Sequence, residues 1–317
     1  MVSSSTLKEL LNEYDKKQMI AISDLEKRKS ELYARIPRLQ EIETELNSFA
    51  IKTAKALLVK FDPSYIAELQ NKANDLKFER ETILKKDEKD ISYLSPHYEC
   101  SKCKDTGYVL DNGKSVMCSC LKQQILNIEY NNSNIGNLDR ENFKKFNLNL
   151  YSDEVNEEKY GSDLSPRENI KVIGKEVKKF IKNFDDPNEK NLLFSGGTGL
   201  GKTFLSNCIV AELLAKGKTV LYQTAPVMLD TLISELFDKN SNNAFSQNLL
   251  TVDLLVIDDL GTETMNSMKF TELYKIINTR LLNQNGKITK TIISTNLDLQ
   301  GLFNTYAVSY THLTLPT

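Results

Sequence analysis

An α/β fold with a parallel sheet, preceded by a helical region and a small cysteine module, is predicted by three features of the sequence. From about residue 166 onward, short apolar runs alternate with segments of helical period, the pattern of a parallel sheet covered on both faces. A glycine-rich turn at residues 196–203 interrupts that alternation between an apolar run and a helical segment. Upstream, residues 1–95 contain no glycine, and four of the five cysteines crowd into positions 100–120.

At 317 residues the chain has length for about two domains. With 40% hydrophobic and 26% charged residues it can bury a core, which excludes wholesale disorder. Lys and Arg total 41 against 43 Asp and Glu, a formal charge of −2. There is no global basic field, so any nucleic-acid contact is local. The apolar run Leu254-Leu255-Val256-Ile257 is too short to span a bilayer, and the first residues lack the apolar core of a signal peptide. A cytoplasmic protein with no membrane partner is the expectation. Two histidines and no tryptophan argue against a histidine triad or a histidine-rich metal centre.

Residues 1–95 repeat their apolar positions at three and four, as in Leu7, Leu10, Leu11 and Tyr14, then Ile22 and Leu25. This is the helical period, and two or three long amphipathic helices are expected. Pro37 and Pro63 punctuate them, with Asp62-Pro63 as an N-cap followed by a first-turn proline. Such stripes bury against each other as an antiparallel hairpin, or against a second helix in a coiled-coil dimer. A partner-gripping role and a solvated spacer both fit. Residues 96–122 form the cysteine module. Residues 123–165 are polar and rich in asparagine, including Asn131-Asn132-Ser133-Asn134, and read as a linker that also carries Phe143 and Phe146. The α/β core is expected over 166–306, with helices at 168–184, 203–216, 226–237 and 267–282. Its strands are expected at 191–195, 219–223, 253–257 and 289–294, with a polar loop at 239–247.

The glycine-rich turn, Gly196-Gly197-Thr198-Gly199-Leu200-Gly201-Lys202-Thr203, has the spacing G-x-x-x-x-G-K-[ST], followed by Phe204. Glycines let the backbone curl so that successive N–H groups point at phosphate oxygens, and the following helix adds its N-terminal dipole. Lys202 reaches the β- and γ-phosphates and Thr203 ligates Mg²⁺. Further along, Leu254-Leu255-Val256-Ile257-Asp258-Asp259 reads as a buried strand ending in acid, at the sheet edge where α/β folds place their ligands. Asp258 is the expected Mg²⁺ ligand and Asp259 the residue that polarises the attacking water, with Glu263 as a competitor for that role. Asn296 ends another strand, Thr291-Ile292-Ile293-Ser294-Thr295. It is a candidate to orient water against the γ-phosphate, or else a cap for the next turn. ATP and Mg²⁺ are the implied ligands. Cys208, inside the helix after the turn, reads as a small core residue.

The cysteines follow the pattern Cys100-x2-Cys103-x14-Cys118-x-Cys120. In a reducing compartment this crowding points to metal rather than disulfides. Residues 108–110 and 115–117 read as two strands around Asp111-Asn112-Gly113. Such a hairpin brings the second pair back to the first, as in a zinc ribbon, and four thiolates hold one tetrahedral Zn²⁺. So short a module buries little without a metal. Redox-active thiols and an iron–sulfur cluster are the alternatives, and His97 could replace one cysteine.

Four ordered segments, GGTGLGKTFLSN, LLVIDDLGTE, ELYKIINTRL and ISTNL, resemble the DnaC/DnaI-type bacterial helicase loaders. These are AAA+ ATPases of the initiator clade, alongside the IstB transposition helpers, and Asn296 then resembles their sensor position. The resemblance implies an AAA+ domain that, with ATP bound, engages the replicative hexameric helicase and single-stranded DNA and can form an ATP-dependent homo-oligomer. The helical region would then grip the helicase. An IstB-like transposition helper, or a zinc-containing adaptor that binds ATP without turnover, are the other readings. The family continues past the sensor strand to an arginine finger and a helical lid, whereas residues 307–317 match no part of it and read as a non-native tail. On that basis the chain is expected to bind ATP and to hydrolyse it poorly. Arg280 is not expected to replace the finger.

Overall fold

Prolines set the helix boundaries of the first region. The computed structural model describes residues 4–58, 63–131, 137–161, 163–238, 242–282 and 287–307. Three helices open the chain: α1 (Ser4–Arg35), α2 (Pro37–Leu58) and α3 (Pro63–Lys86). Pro37 and Pro63 each take a first helical position, where a missing N–H costs nothing. Asp62, the expected cap, lies outside the described residues, as do residues 132–136 of the Asn-rich stretch and 308–317 of the C-terminal tail. The chain divides into two compact units, residues 8–116 and residues 117–317 together with 1–7.

In the first unit, α2 and α3 pack along each other. Leu32, Leu39 and Leu84 form a buried cluster joined by Tyr33, Ile36, Ile83, Tyr93 and Leu94. The Arg38 guanidinium donates to both carboxylate oxygens of Glu79, at 2.8 and 3.0 Å. Exposed pairs of this kind are worth at most about 1 kcal/mol, so the apolar seam holds the helices. Along α1, Gln18 donates to the Lys104 carbonyl at 2.7 Å, and Arg28 donates to the carbonyls of Tyr93 and Ser95. The strands β1 (Tyr108–Asp111) and β2 (Lys114–Met117) follow as a two-stranded hairpin. Asn112 and Gly113 turn it with φ of 48° and 77°, the left-handed pair that a tight hairpin requires.

The second unit begins with α4 (Ser119–Leu126), a π-helical turn at Asn127–Asn131, and the short α5 (Glu157–Tyr160). The α/β alternation then runs through α6 (Pro166–Lys182), β3 (Leu192–Ser195), α7 (Lys202–Ala215), β4 (Val220–Thr224) and α8 (Ala225–Phe237). It continues with α9 (Ala244–Thr251), β5 (Leu254–Leu260), α10 (Ser267–Leu281), β6 (Lys290–Thr295) and α11 (Leu299–Ala307). The four strands are parallel in the order β3-β6-β5-β4. One buried cluster joins α6 and α7 to the sheet through Val177, Phe180, Ile209, Tyr222 and Val256. The other joins α8, α9 and α10 through Met228, Leu232, Leu249, Ile257 and Ile276. Leu254, Leu255, Val256 and Ile257 are fully buried, as expected of a strand with parallel neighbours on both sides.

Two segments differ from the sequence reading. Part of 239–247 is helical, because α9 starts at Ala244. The N–H groups of its second and third residues, Phe245 and Ser246, are both accepted by the Glu235 carboxylate at 2.8 Å. The Ala244 N–H is accepted by Asn242 Oδ1 at 3.1 Å, so the cap combines the local sequence with a side chain of the preceding helix. The segment read as a linker is also built into the fold. Gln123 and Asn131 lie against the outer edge of β4: the Val220 N–H donates to Gln123 Oε1 at 2.6 Å and the Tyr222 N–H to Asn131 Oδ1 at 2.9 Å. The Val220 carbonyl accepts from both amides, at 3.0 and 2.9 Å. Further along, Leu138, Phe143 and Phe146 pack against the core beside α6 and α7.

Candidate functional site

β3 delivers the chain into the glycine-rich turn at the C-terminal edge of the sheet, and α7 leaves from it. Gly199 and Gly201 have φ of 81° and 91°, which disfavour any residue with a Cβ. At Gly201 a Cβ would also lie 2.7 Å from the Tyr151 hydroxyl. Lys202 Nζ folds over the turn and donates to the carbonyls of Gly196 at 2.7 Å and Gly197 at 2.9 Å, and to Asn296 Oδ1 at 2.8 Å. Asn296 thus stands beside the turn although it is 94 residues away in sequence.

Across the turn, the Thr203 hydroxyl donates to Asp258 Oδ2 at 3.1 Å. Asp258 is buried at the end of β5 and also accepts from the Tyr222 hydroxyl at 2.6 Å and from Ser294. Burial and the neighbouring Asp258 push the Tyr222 hydroxyl far above the usual tyrosine range. Asp259 follows with φ of 55°, a left-handed conformation that aspartate and asparagine adopt more readily than other residues with a Cβ. Glu263 is committed elsewhere: one oxygen accepts the Gly261 N–H at 2.9 Å and the other the Tyr306 hydroxyl. Of the two acids, Asp259 is the one whose side chain accepts no hydrogen bond among the described residues. The donor set fits a magnesium nucleotide: a lysine, a hydroxyl and a carboxylate converge where oxygen ligands are required.

Beside the turn lies a cleft of about 400 Å³ lined by Phe146, Leu150, Tyr151, Leu200 and Phe204. Phe146 stacks on Tyr151 at 6.1 Å and meets Phe204 at 5.8 Å. The Tyr151 hydroxyl donates to the Leu200 carbonyl at 3.2 Å. Thr198 sits in the turn, and Leu200 is exposed on it. Sequence reasoning left Tyr151, Tyr222 and Ser294 aside. The last two carried a signal, since each is a polar residue inside an apolar strand. Cys208 is fully buried in α7, and burial pushes its thiol up to about 12, consistent with a core role. Arg280 is also buried and donates to the carbonyls of Leu249, Val252 and Lys290. It is a fixture of the core and is not free to reach a neighbouring molecule.

The sulfur atoms of Cys100, Cys103, Cys118 and Cys120 all lie within 4.8 Å of one another. Tetrahedral zinc with Zn–S of about 2.3 Å separates its sulfurs by about 3.8 Å, so the set fits that ion. Asp105 shapes the first knuckle, accepting the N–H groups of Glu99 at 2.9 Å and Cys100 at 2.7 Å. His97 is exposed and stands outside this group. Among the described residues no helix is long and apolar enough to cross a membrane.

Residues 175–307 match the family described as IstB-like ATP binding protein. The replicative helicase loader DnaC of Escherichia coli K12 is 33% identical over 107 residues, covering 33% of this chain and 42% of DnaC. The chromosomal replication initiator DnaA of Caulobacter vibrioides is 32% identical over 114 residues, covering 35% of this chain and 23% of DnaA. A crystal structure of the DnaC helicase loader aligns at a TM-score of 0.37 and 26% identity, covering 50% of this chain and 86% of that one. The chain spans less than half the length of these two curated relatives. Residues 175–307, which hold the parallel α/β sheet, therefore resemble the IstB-like ATP binding proteins, and part of the chain is similar to a replicative helicase loader.

Proposed function

We propose that this chain is an ATP-dependent loader of a replicative helicase onto single-stranded DNA. The observation that carries the proposal is the convergence of Lys202, Thr203, Asp258 and Asn296 at one sheet edge, in a segment similar to a protein named as a replicative helicase loader. Mg²⁺ supplies charge neutralisation for the phosphates when bound. The chain's own residues do the rest. Backbone N–H groups of residues 196–203 hold phosphate oxygens, and Lys202 exchanges its carbonyl partners for them. Thr203 and Asp258 hold the cation. Asp259 polarises water, and Asn296 orients it. The aromatic cleft of Phe146, Tyr151 and Phe204 offers faces on which a base stacks. The four cysteines hold a structural zinc, with all four ligand positions taken by protein. The helical region of residues 1–95 supplies the grip on the helicase, and ATP-dependent self-association is part of the same reading. An IstB-like transposition helper is the second reading, favoured by the family match alone.

Co-elution tests the proposal. The chain is mixed with the replicative helicase of its own host and run on a sizing column with ATP, without nucleotide, and as Lys202→Ala. A complex that forms with ATP and is lost in the variant is expected. No complex under any condition would sink the loader reading and move the search to transposase partners.

A further inference from the structure

We propose that Tyr222 and Ser294 are positioning residues for the Mg²⁺-binding carboxylate, holding Asp258 so that one lone pair, the one facing Thr203, is left for the cation or a water of its shell. The inference rests on the nucleotide reading above.

An ionised carboxylate offers about four lone-pair sites, and Asp258 carries four donors. Oδ1 accepts from the Ser294 hydroxyl and from the Asp259 N–H at 3.1 Å. Oδ2 accepts from Tyr222 at 2.6 Å and from Thr203 at 3.1 Å. Three of these donors are fixed. Ser294 is fully buried on β6, Tyr222 is buried on β4 among Ile209, Leu254 and Val256, and the Asp259 N–H is main chain. Thr203 is the exception. It opens α7, and a hydroxyl at this point of a phosphate loop is a Mg²⁺ ligand. When that hydroxyl turns to the cation, the Oδ2 lone pair it releases is the one beside it. The other three stay engaged, so the carboxylate can neither rotate nor bind a cation elsewhere.

Ser294 has a second task. Its oxygen shares the Asp259 N–H with Asp258 Oδ1 in one bifurcated bond, at 3.2 and 3.1 Å, the amide of the residue held at positive φ. One buried hydroxyl therefore fixes both acids, the first through its side chain and the second through its backbone. A phenylalanine would satisfy the packing around Tyr222. The hydroxyl is accounted for by the carboxylate it reaches, since a buried tyrosine requires a polar partner.

The test is a cation titration on the full chain. Binding of a fluorescent ATP analogue is followed as Mg²⁺ is raised, and separately in EDTA, for wild type, Tyr222→Phe, Ser294→Ala and Ser294→Thr. Tyr222→Phe and Ser294→Ala are expected to raise the Mg²⁺ midpoint about tenfold, the low end of what partners behind a metal ligand contribute. Affinity in EDTA stays within about twofold, and Ser294→Thr, which keeps the hydroxyl, restores the midpoint. Unchanged midpoints in the two variants overturn the proposal. So does a parallel loss of EDTA binding and melting temperature, which marks a purely structural role. Tyr222→Phe preserves shape and keeps the test open if Ser294→Ala does not fold. Wild type that binds no nucleotide in either condition overturns the nucleotide reading itself, a result distinct from the others.

Discussion

Asp253 illustrates how single residues hold this sheet together. It precedes β5 and accepts both the N–H and the hydroxyl of Thr219, at 2.7 and 2.6 Å, together with an ion pair to Lys287 at 2.7 Å. Burial raises its pKa, but the bonds from Lys287 and Thr219 outweigh that and leave it below the usual 3.8. A carboxylate depressed on folding stabilises in full above its unfolded pKa and loses that contribution as pH falls through the folded one. Urea midpoints for wild type and Asp253→Asn are thus expected to differ most above the ordinary aspartate range and to converge as pH falls below it. A difference that stays constant across that window would refute the assignment. At the same scale, the phosphate loop and Asp258 were legible because their chemistry needs fixed residue types at fixed spacing. Tyr222 and Ser294 were not, because a hydroxyl in an apolar strand announces a partner without naming it. Asp259 over Glu263 became a structural argument only once Tyr306 was seen to engage the latter.

At the scale of elements, the edge of β4 is the feature with the clearest energetic consequence. Gln123 and Asn131 present side-chain amides where a neighbouring strand would present its backbone. Asn131→Leu leaves the Tyr222 N–H without its acceptor, which costs about 1–3 kcal/mol when buried, and it uncovers an edge. A lowered urea midpoint together with increased light scattering on warming is expected; an unchanged midpoint would show that the amides are incidental. This element was hidden from sequence reading for a physical reason. Polar asparagine and glutamine signal solvent by composition, and only the fold turns them inward. The same applies to α9, whose N-terminal cap is carried in part by Glu235 on another helix. The strands of the α/β core, by contrast, were placed to within a few residues, because four buried apolar residues in a row have few alternatives.

For the whole molecule, each unit has its own apolar core, and the two ligands proposed for the chain differ in kind. Native mass spectrometry is expected to find one zinc per chain that survives exchange into metal-free buffer, and a separate increment for magnesium nucleotide only when it is added. Cys118→Ser is expected to lose the first and Lys202→Ala the second. Intact chain with no zinc in the wild type would refute the metal centre. The sheet itself has a direction. Side chains seal it at β4, while among the described residues β3 pairs with β6 alone. Among the described residues, in chemical terms, the sheet has one remaining valence. Any strand donated from outside must enter beside Leu192–Ser195, the strand that leads directly into the phosphate loop, so such an addition and a bound phosphate would pull on the same four residues.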